Sequence, residues 1–202
     1  MKDEISMTEK ESLDLITSMI NRAKNNFGEN GFLYLVWGWA ILFFCLIQFI
    51  SQVIFSYEKG YYVWILTWVV AIYNVFYIKI KKKMRDVRTY TDEINSSIWI
   101  SFLISIFILM FICIQFKHPE MIYPVLLVMY GIPIFLSGKL MKFTPLVLGG
   151  IFCWLLGIAG PFVPIEYGVL LIALALTGAW IIPGYLLRSR HRKELRAEEK
   201  SK

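Results

Sequence analysis

The chain alternates long apolar stretches with short polar connections. A helix needs about 20 residues to cross the hydrocarbon core of a bilayer, and lipid leaves backbone polar groups unsatisfied outside a helix. The pattern therefore predicts an all-α fold: a polytopic membrane bundle of six transmembrane helices, paired as three hairpins. The six stretches without Asp, Glu, Lys, Arg or His are residues 32–57, 60–78, 94–116, 121–138, 143–165 and 167–187.

Composition supports the membrane class and changes the meaning of the net charge. Hydrophobic residues make up 57% of the chain, and the mean hydropathy is +0.59. These values are typical of integral membrane proteins. The net charge of +6 comes from residues that flank the apolar stretches. We therefore interpret it as a topology signal and expect no nucleic-acid partner.

The basic residues predict how the chain is oriented. All Lys and Arg except Lys59 and Lys117 lie in the two tails or in the second and fourth connections. Positively charged loops stay in the cytoplasm, so both termini are expected there, in a bacterial inner (cytoplasmic) membrane. The polar, partly acidic start does not resemble a signal peptide. We expect residues 32–57 to be an uncleaved first span.

The segment before the first span has the pattern of an amphipathic helix over residues 8–27. Thr8 and Glu11 have the spacing of a capping box. Residues 1–31 hold six acidic and four basic side chains, whereas helices lying on membranes are usually rich in Lys and Arg. Contact with protein is therefore favoured: its own bundle, a second copy or another protein. The candidate partner face is Leu13, Ile16, Ile20, Ala23 and Phe27.

These features divide the chain into three parts. Residues 1–31 form the cytoplasmic helix and a linker, residues 32–187 the transmembrane domain, and residues 188–202 a basic cytoplasmic tail.

Membrane chemistry usually requires an ionisable side chain at bilayer depth, and the six stretches contain none. His118 and His191 fall on opposite sides of the predicted membrane. Cys45, Cys113 and Cys153 are isolated within spans, with no metal-ligand spacing. We therefore expect no catalytic residue, no metal site and no cofactor, and the protein is not expected to be an enzyme.

Neutral polar side chains at depth leave two interpretations. Asn74 and Gln115 could line a polar path for a solute. The favoured alternative is that they bond between helices, as we also expect for Gln48, Ser101 and Ser105.

A stripe of small residues predicts close helix packing. Gly149, Cys153 and Gly157 recur every four residues in the fifth span, and Ala175 and Ala179 do so in the sixth. Small residues let membrane helices approach closely. We expect a tight contact between these two spans.

Three segments carry a resemblance: residues 33–39 (LYLVWGW), 89–94 (TYTDEI) and 179–187 (AWIIPGYLL). Together they resemble a group of small, uncharacterised, six-span bacterial integral membrane proteins. The resemblance covers nearly the whole chain and implies an inner-membrane location. It implies no catalytic or binding residue.

Two functions fit these features. One is a non-enzymatic regulatory or scaffold role through the cytoplasmic face, with the bilayer and a cytoplasmic protein or a second copy as partners. The other is a small-solute channel or facilitator with a neutral polar path. A water-accessible cavity containing Asn74 or Gln115 would favour the channel.

Overall fold

The computed structural model describes residues 31–83 and 90–200. Within these residues the chain is 92% helical and contains no strand. Six helical segments are long and apolar enough to cross a membrane. The predicted all-α, six-span fold is confirmed. The predicted N-terminal helix, residues 8–27, lies outside the described residues.

Seven α-helices build the six candidate spans. Short 3₁₀ helices, Glu58–Ile65 and Pro119–Met121, precede α2 and α4. A π-helical turn, Thr177–Ile181, joins α6 to α7 within the sixth span. The α-helices are α1 (Phe32–Phe49), α2 (Leu66–Lys83), α3 (Tyr90–Gln115), α4 (Ile122–Leu140), α5 (Thr144–Ala159), α6 (Ile165–Leu176) and α7 (Ile182–Lys200).

The sixth span is the most central and the second is peripheral. In the most apolar part of the span Ile165–Arg190, 56% of the residues are buried, against none in Lys59–Ile80 and 11% in Glu93–Gln115. Apolar side chains on α2 and α3 are therefore mostly outside the protein core, on surfaces that suit contact with lipid. The core residues buried most deeply are Ile41, Cys45, Leu127, Ile134, Leu146, Cys153, Val169, Leu176 and Ala179.

The most extensive contact in the bundle joins α4 to α5. A tight turn connects these helices, with Lys142 at φ 49°. Glycines allow the two backbones to approach: a Cβ added at Gly138 would lie 2.6 Å from the Val147 nitrogen. A Cβ added at Gly150 would lie 2.7 Å from Cβ of Phe135. The spans predicted to pair as hairpins are in contact with each other. The most extensive contact, however, joins the fourth span to the fifth, which belong to different predicted hairpins.

The sixth span is continuous in spite of a proline. Pro183 is the second residue of α7 and has no amide hydrogen to donate to the preceding turn. The π-helical turn lies immediately before it. Thr177 opens that turn, and its hydroxyl donates to the Ala173 carbonyl at 2.8 Å. The wider turn therefore falls where the regular α-helical hydrogen bonding is interrupted.

Candidate functional site

One end of the bundle is strongly basic, and we call it the basic end. It comprises the ends of α2, α4 and α7 and the start of α3 and α5. α7 continues past its last buried apolar residue, Leu187, as far as Lys200. The exposed cations described here include Lys79, Lys139, Lys142, Arg188, Arg192, Lys193 and Arg196.

The candidate partner face lies outside the described residues. Its members are Leu13, Ile16, Ile20, Ala23 and Phe27, and they stay a prediction. The structure does place the point at which this segment joins the bundle. Gly31 has φ +55° and lies against the backbone of Gly184, just before the basic part of α7. Gly31, which follows residues 1–30 in the chain, therefore lies at the basic end, beside α7.

The two candidate polar-path residues lie on different helices. The Asn74 side chain donates to the Val70 carbonyl of its own helix at 3.0 Å. Gln115 is the last residue of α3, and its side chain is exposed. Neither of them is among the residues that line the cleft between α3 and α4. The polar path stays a prediction that this geometry does not favour.

The small-residue stripe of α5 packs against two different helices. A Cβ added at Gly149 would lie 2.7 Å from Cα of Ala179, so α5 and the sixth span are in close contact there. Cys153 is 2% exposed. A Cβ added at Gly157 would instead meet Cγ2 of Val128, on α4, at 2.8 Å. The expectation that Gly157 packs on the sixth span is thus corrected: this end of the stripe serves the α4–α5 contact.

The sixth-span residues of the same prediction are buried. Ala175 is 2% exposed and Ala179 is fully buried. Ala179 meets Gly149, as described above. Its small side chain is needed because the two backbones are adjacent there.

A buried amide joins three parts of the bundle at the end opposite the basic one. Gln48 is 2% exposed. Its Nε2 donates to the Tyr123 hydroxyl at 2.8 Å and to Oε1 of Gln52 at 3.1 Å. Trp64 Nε1 donates to its Oε1. Gln48 thereby ties α1 to α4 and to the 3₁₀ helix before α2, which satisfies polar groups that lipid would leave unpaired.

An aromatic cluster fixes α3 to the centre of the bundle. Trp180, in the π-helical turn, is 6% exposed. Its ring lies 5.3 Å from Trp99 of α3, edge to face, and 5.5 Å from Tyr34 of α1. Phe102 lies 4.9 Å from Tyr130 of α4. Such pairs contribute about 0.5–1.5 kcal/mol each beyond their burial. The cluster gives α3 a fixed position although little of it is buried.

A lateral cleft of about 540 Å³ lies between α3 and α4. One wall carries hydroxyls at four-residue spacing and the other is apolar. Ser97 donates back to the Glu93 carbonyl at 2.9 Å. The lining residues are Glu93, Ile94, Ser97, Ile98, Ser101, Phe102, Ser105, Met129, Ile132, Pro133 and Leu136.

The remaining chemistry of the described chain is sparse. No group of three or more His, Cys, Asp or Glu side chains that could hold a metal ion occurs within residues 31–83 and 90–200. Cys45, Cys113 and Cys153 are free thiols. Comparison with protein-family models, with curated proteins and with solved structures finds no match for the chain.

Proposed function

We propose that the chain is a multi-pass protein of the bacterial inner membrane, with both termini in the cytoplasm. In this proposal it has a non-enzymatic regulatory or scaffold role and presents its basic end to a cytoplasmic protein. The observation that carries the proposal is that α7 continues past Arg190, where the sixth candidate span ends. At 1.5 Å per residue, the helix extends roughly 15 Å from Arg190 to Lys200.

The projecting part of α7 has the properties of a recognition element. Arg192 and Arg196 are exposed and lie four residues apart, so they share one face of the helix. Basic groups presented on a rigid element suit an acidic partner, because complementary charge speeds encounter and excludes wrong partners. The described chain begins at Gly31, beside this element. In this proposal the predicted apolar face of residues 8–27 is a second surface for the same partner.

The opposite end offers less to a partner. Its connections are short, and the described charges there are few and of both signs, such as Lys59, Lys117 and Glu120. His118 and Glu120 are paired with each other at 2.7 Å. The asymmetry between the two ends supports a function on the basic side.

The test is co-purification under mild detergent conditions from the native host. We compare the full chain, a chain lacking residues 1–27, and the double variant Arg192→Glu/Arg196→Glu. A partner present at constant ratio with the full chain should be lost from both altered chains. The matched control is Lys59→Glu/Lys117→Glu, which reverses two charges at the opposite end and should keep the partner. A partner retained by all four proteins, or found with none, would contradict the proposal.

The channel hypothesis stays as the alternative, and its test is separate. Solute flux into liposomes would be compared for the unaltered chain and for Asn74→Leu. Flux that depends on Asn74 would support a path beside α2 and count against the scaffold role.

A further inference from the structure

We propose that the lateral cleft between α3 and α4 is a lipid site, specific for a phospholipid whose head carries a primary ammonium group. The site is independent of the proposed scaffold role. Its volume, about 540 Å³, falls within the usual range of small-molecule sites, about 300–1,000 Å³. Its flanks are apolar and exposed: Ile132 is 40% and Leu136 is 42% exposed. A lipid can therefore enter from the side, out of the bilayer.

The head of the lipid is recognised at the basic end of the cleft. Glu93 lines the cleft there and is the first residue of its candidate span, at headgroup depth. Its side chain is exposed, and no ion pair involves it within the part of the chain that the structure describes. A carboxylate without a partner, at an end that is otherwise rich in cations, is suited to bind an ammonium group.

A cation lies at the same level as Glu93 on the neighbouring helix, just outside the residues that line the cleft. The Ser137 hydroxyl donates to Oδ1 of Asn95 at 2.7 Å and so fixes the register of α3 against α4. Since the two helices are antiparallel, Glu93 and Lys139 each lie two residues beyond this bond, at about the same level. Lys139 is exposed, and its Nζ lies 5.7 Å from the centre of the Phe135 ring, so its flexible side chain must turn toward α3 to reach a phosphate in the cleft. A carboxylate on one helix and an ammonium on the other match a head that holds one ammonium and one phosphate.

The hydroxyls match the next part of the lipid. The headgroup region is roughly 5–8 Å deep on each side, and the ester carbonyls lie at its base. Along α3, Ser97 and Ser101 are roughly 6 and 12 Å from Glu93, so they bracket the level of the ester carbonyls, and the Ser101 side chain inclines back toward that level. No described residue pairs with the Ser101 hydroxyl, which is therefore available to donate to an ester carbonyl. Ser105, roughly 18 Å from Glu93, faces only the acyl chain.

Native mass spectrometry with equal amounts of phosphoethanolamine, phosphocholine and phosphoglycerol lipids tests the site. The chain should retain one phosphoethanolamine lipid in preference to the other two, because a quaternary ammonium has no N–H to donate to Glu93. Glu93→Gln keeps an acceptor oxygen but removes the negative charge, and should reduce that preference about tenfold, because charge-assisted hydrogen bonds are roughly twice as strong as neutral ones. Both Glu93 and Ser101 are exposed, so their variants leave the core intact.

The depth of the site is tested with two matched serine variants. Ser101→Val should weaken lipid retention several-fold, whereas Ser105→Val, the same change one turn deeper, should leave it unchanged. Equal retention of the three lipids by the unaltered chain would overturn the proposal. Equal effects of both serine variants together with a dimeric mass would also overturn it, and would assign the cleft to a second copy of the chain.

Discussion

The closest backbone approach between α5 and the sixth span gives a quantitative prediction. A methyl group at Gly149 would lie 2.7 Å from Cα and 3.1 Å from Cβ of Ala179. Carbon atoms pack best at about 3.5–4.0 Å, so the helices must separate by roughly 0.8 Å. Overpacking of this kind costs about 1–3 kcal/mol. Gly149→Ala should lower the free energy of unfolding by this amount. A gain of about 1 kcal/mol offsets part of the loss, because alanine favours a helix more than glycine does.

The matched control is Gly184→Ala, which gains the same propensity without a backbone clash. The added methyl group would meet Cδ2 and Cγ of Leu35, at 3.0 and 3.1 Å, so only a side chain has to shift, by a few tenths of an ångström. We therefore expect the Gly149 variant to be less stable than the Gly184 variant by about 1–3 kcal/mol. Unfolding in mixed micelles with increasing dodecyl sulfate, followed by circular dichroism, measures the difference. Equal stabilities, or a less stable Gly184 variant, would refute the reasoning.

Two packing contacts and the predicted orientation give three further predictions. Gly157→Leu should destabilise the α4–α5 contact by about 1–3 kcal/mol; unchanged thermal stability in detergent would contradict it. Gln48→Leu should cost about 1–2 kcal/mol and change the fluorescence of Trp64, whose N–H loses its acceptor; an unaltered spectrum and stability would show that the network contributes little. The predicted orientation is tested with an impermeant thiol reagent. Ser56→Cys should react in intact cells, whereas Ser189→Cys should react only after the cells are opened. Both reactions should exceed that of the unsubstituted chain, which has three cysteines of its own. Equal labelling of both positions in intact cells would disprove the orientation.

The sequence predicts the number of spans well because charge is excluded from hydrocarbon. It does not predict which spans are central. The candidate span Glu93–Gln115 has the highest mean hydropathy, 2.7, yet only 11% of its most apolar part is buried. Ile165–Arg190 has a mean hydropathy of 2.0 and is 56% buried by the same measure. Lipid and protein interior are similarly apolar, so hydropathy cannot separate them.

The candidate sites show the same limit. The stripe of Gly149 and Gly157 is visible as a spacing, but its division between two helices depends on how the bundle is packed. Gln48 and Ser101 are visible as polar residues at depth. Their different roles, one in a buried network and the other on the wall of a cleft, depend on neighbours far away in the sequence. Such partners are set by tertiary packing, which single-sequence periodicity does not contain.

In the proposed function, the projecting, basic part of α7 contacts a cytoplasmic protein. Site-specific photocrosslinking in living cells tests it most directly, with the crosslinker at Arg192 and, as a control, at Tyr61 in the segment before α2. We predict one discrete protein adduct from position 192, of the same protein that co-purifies with the full chain, and none from position 61. No adduct from position 192, or the same adducts from both positions, would contradict the claim.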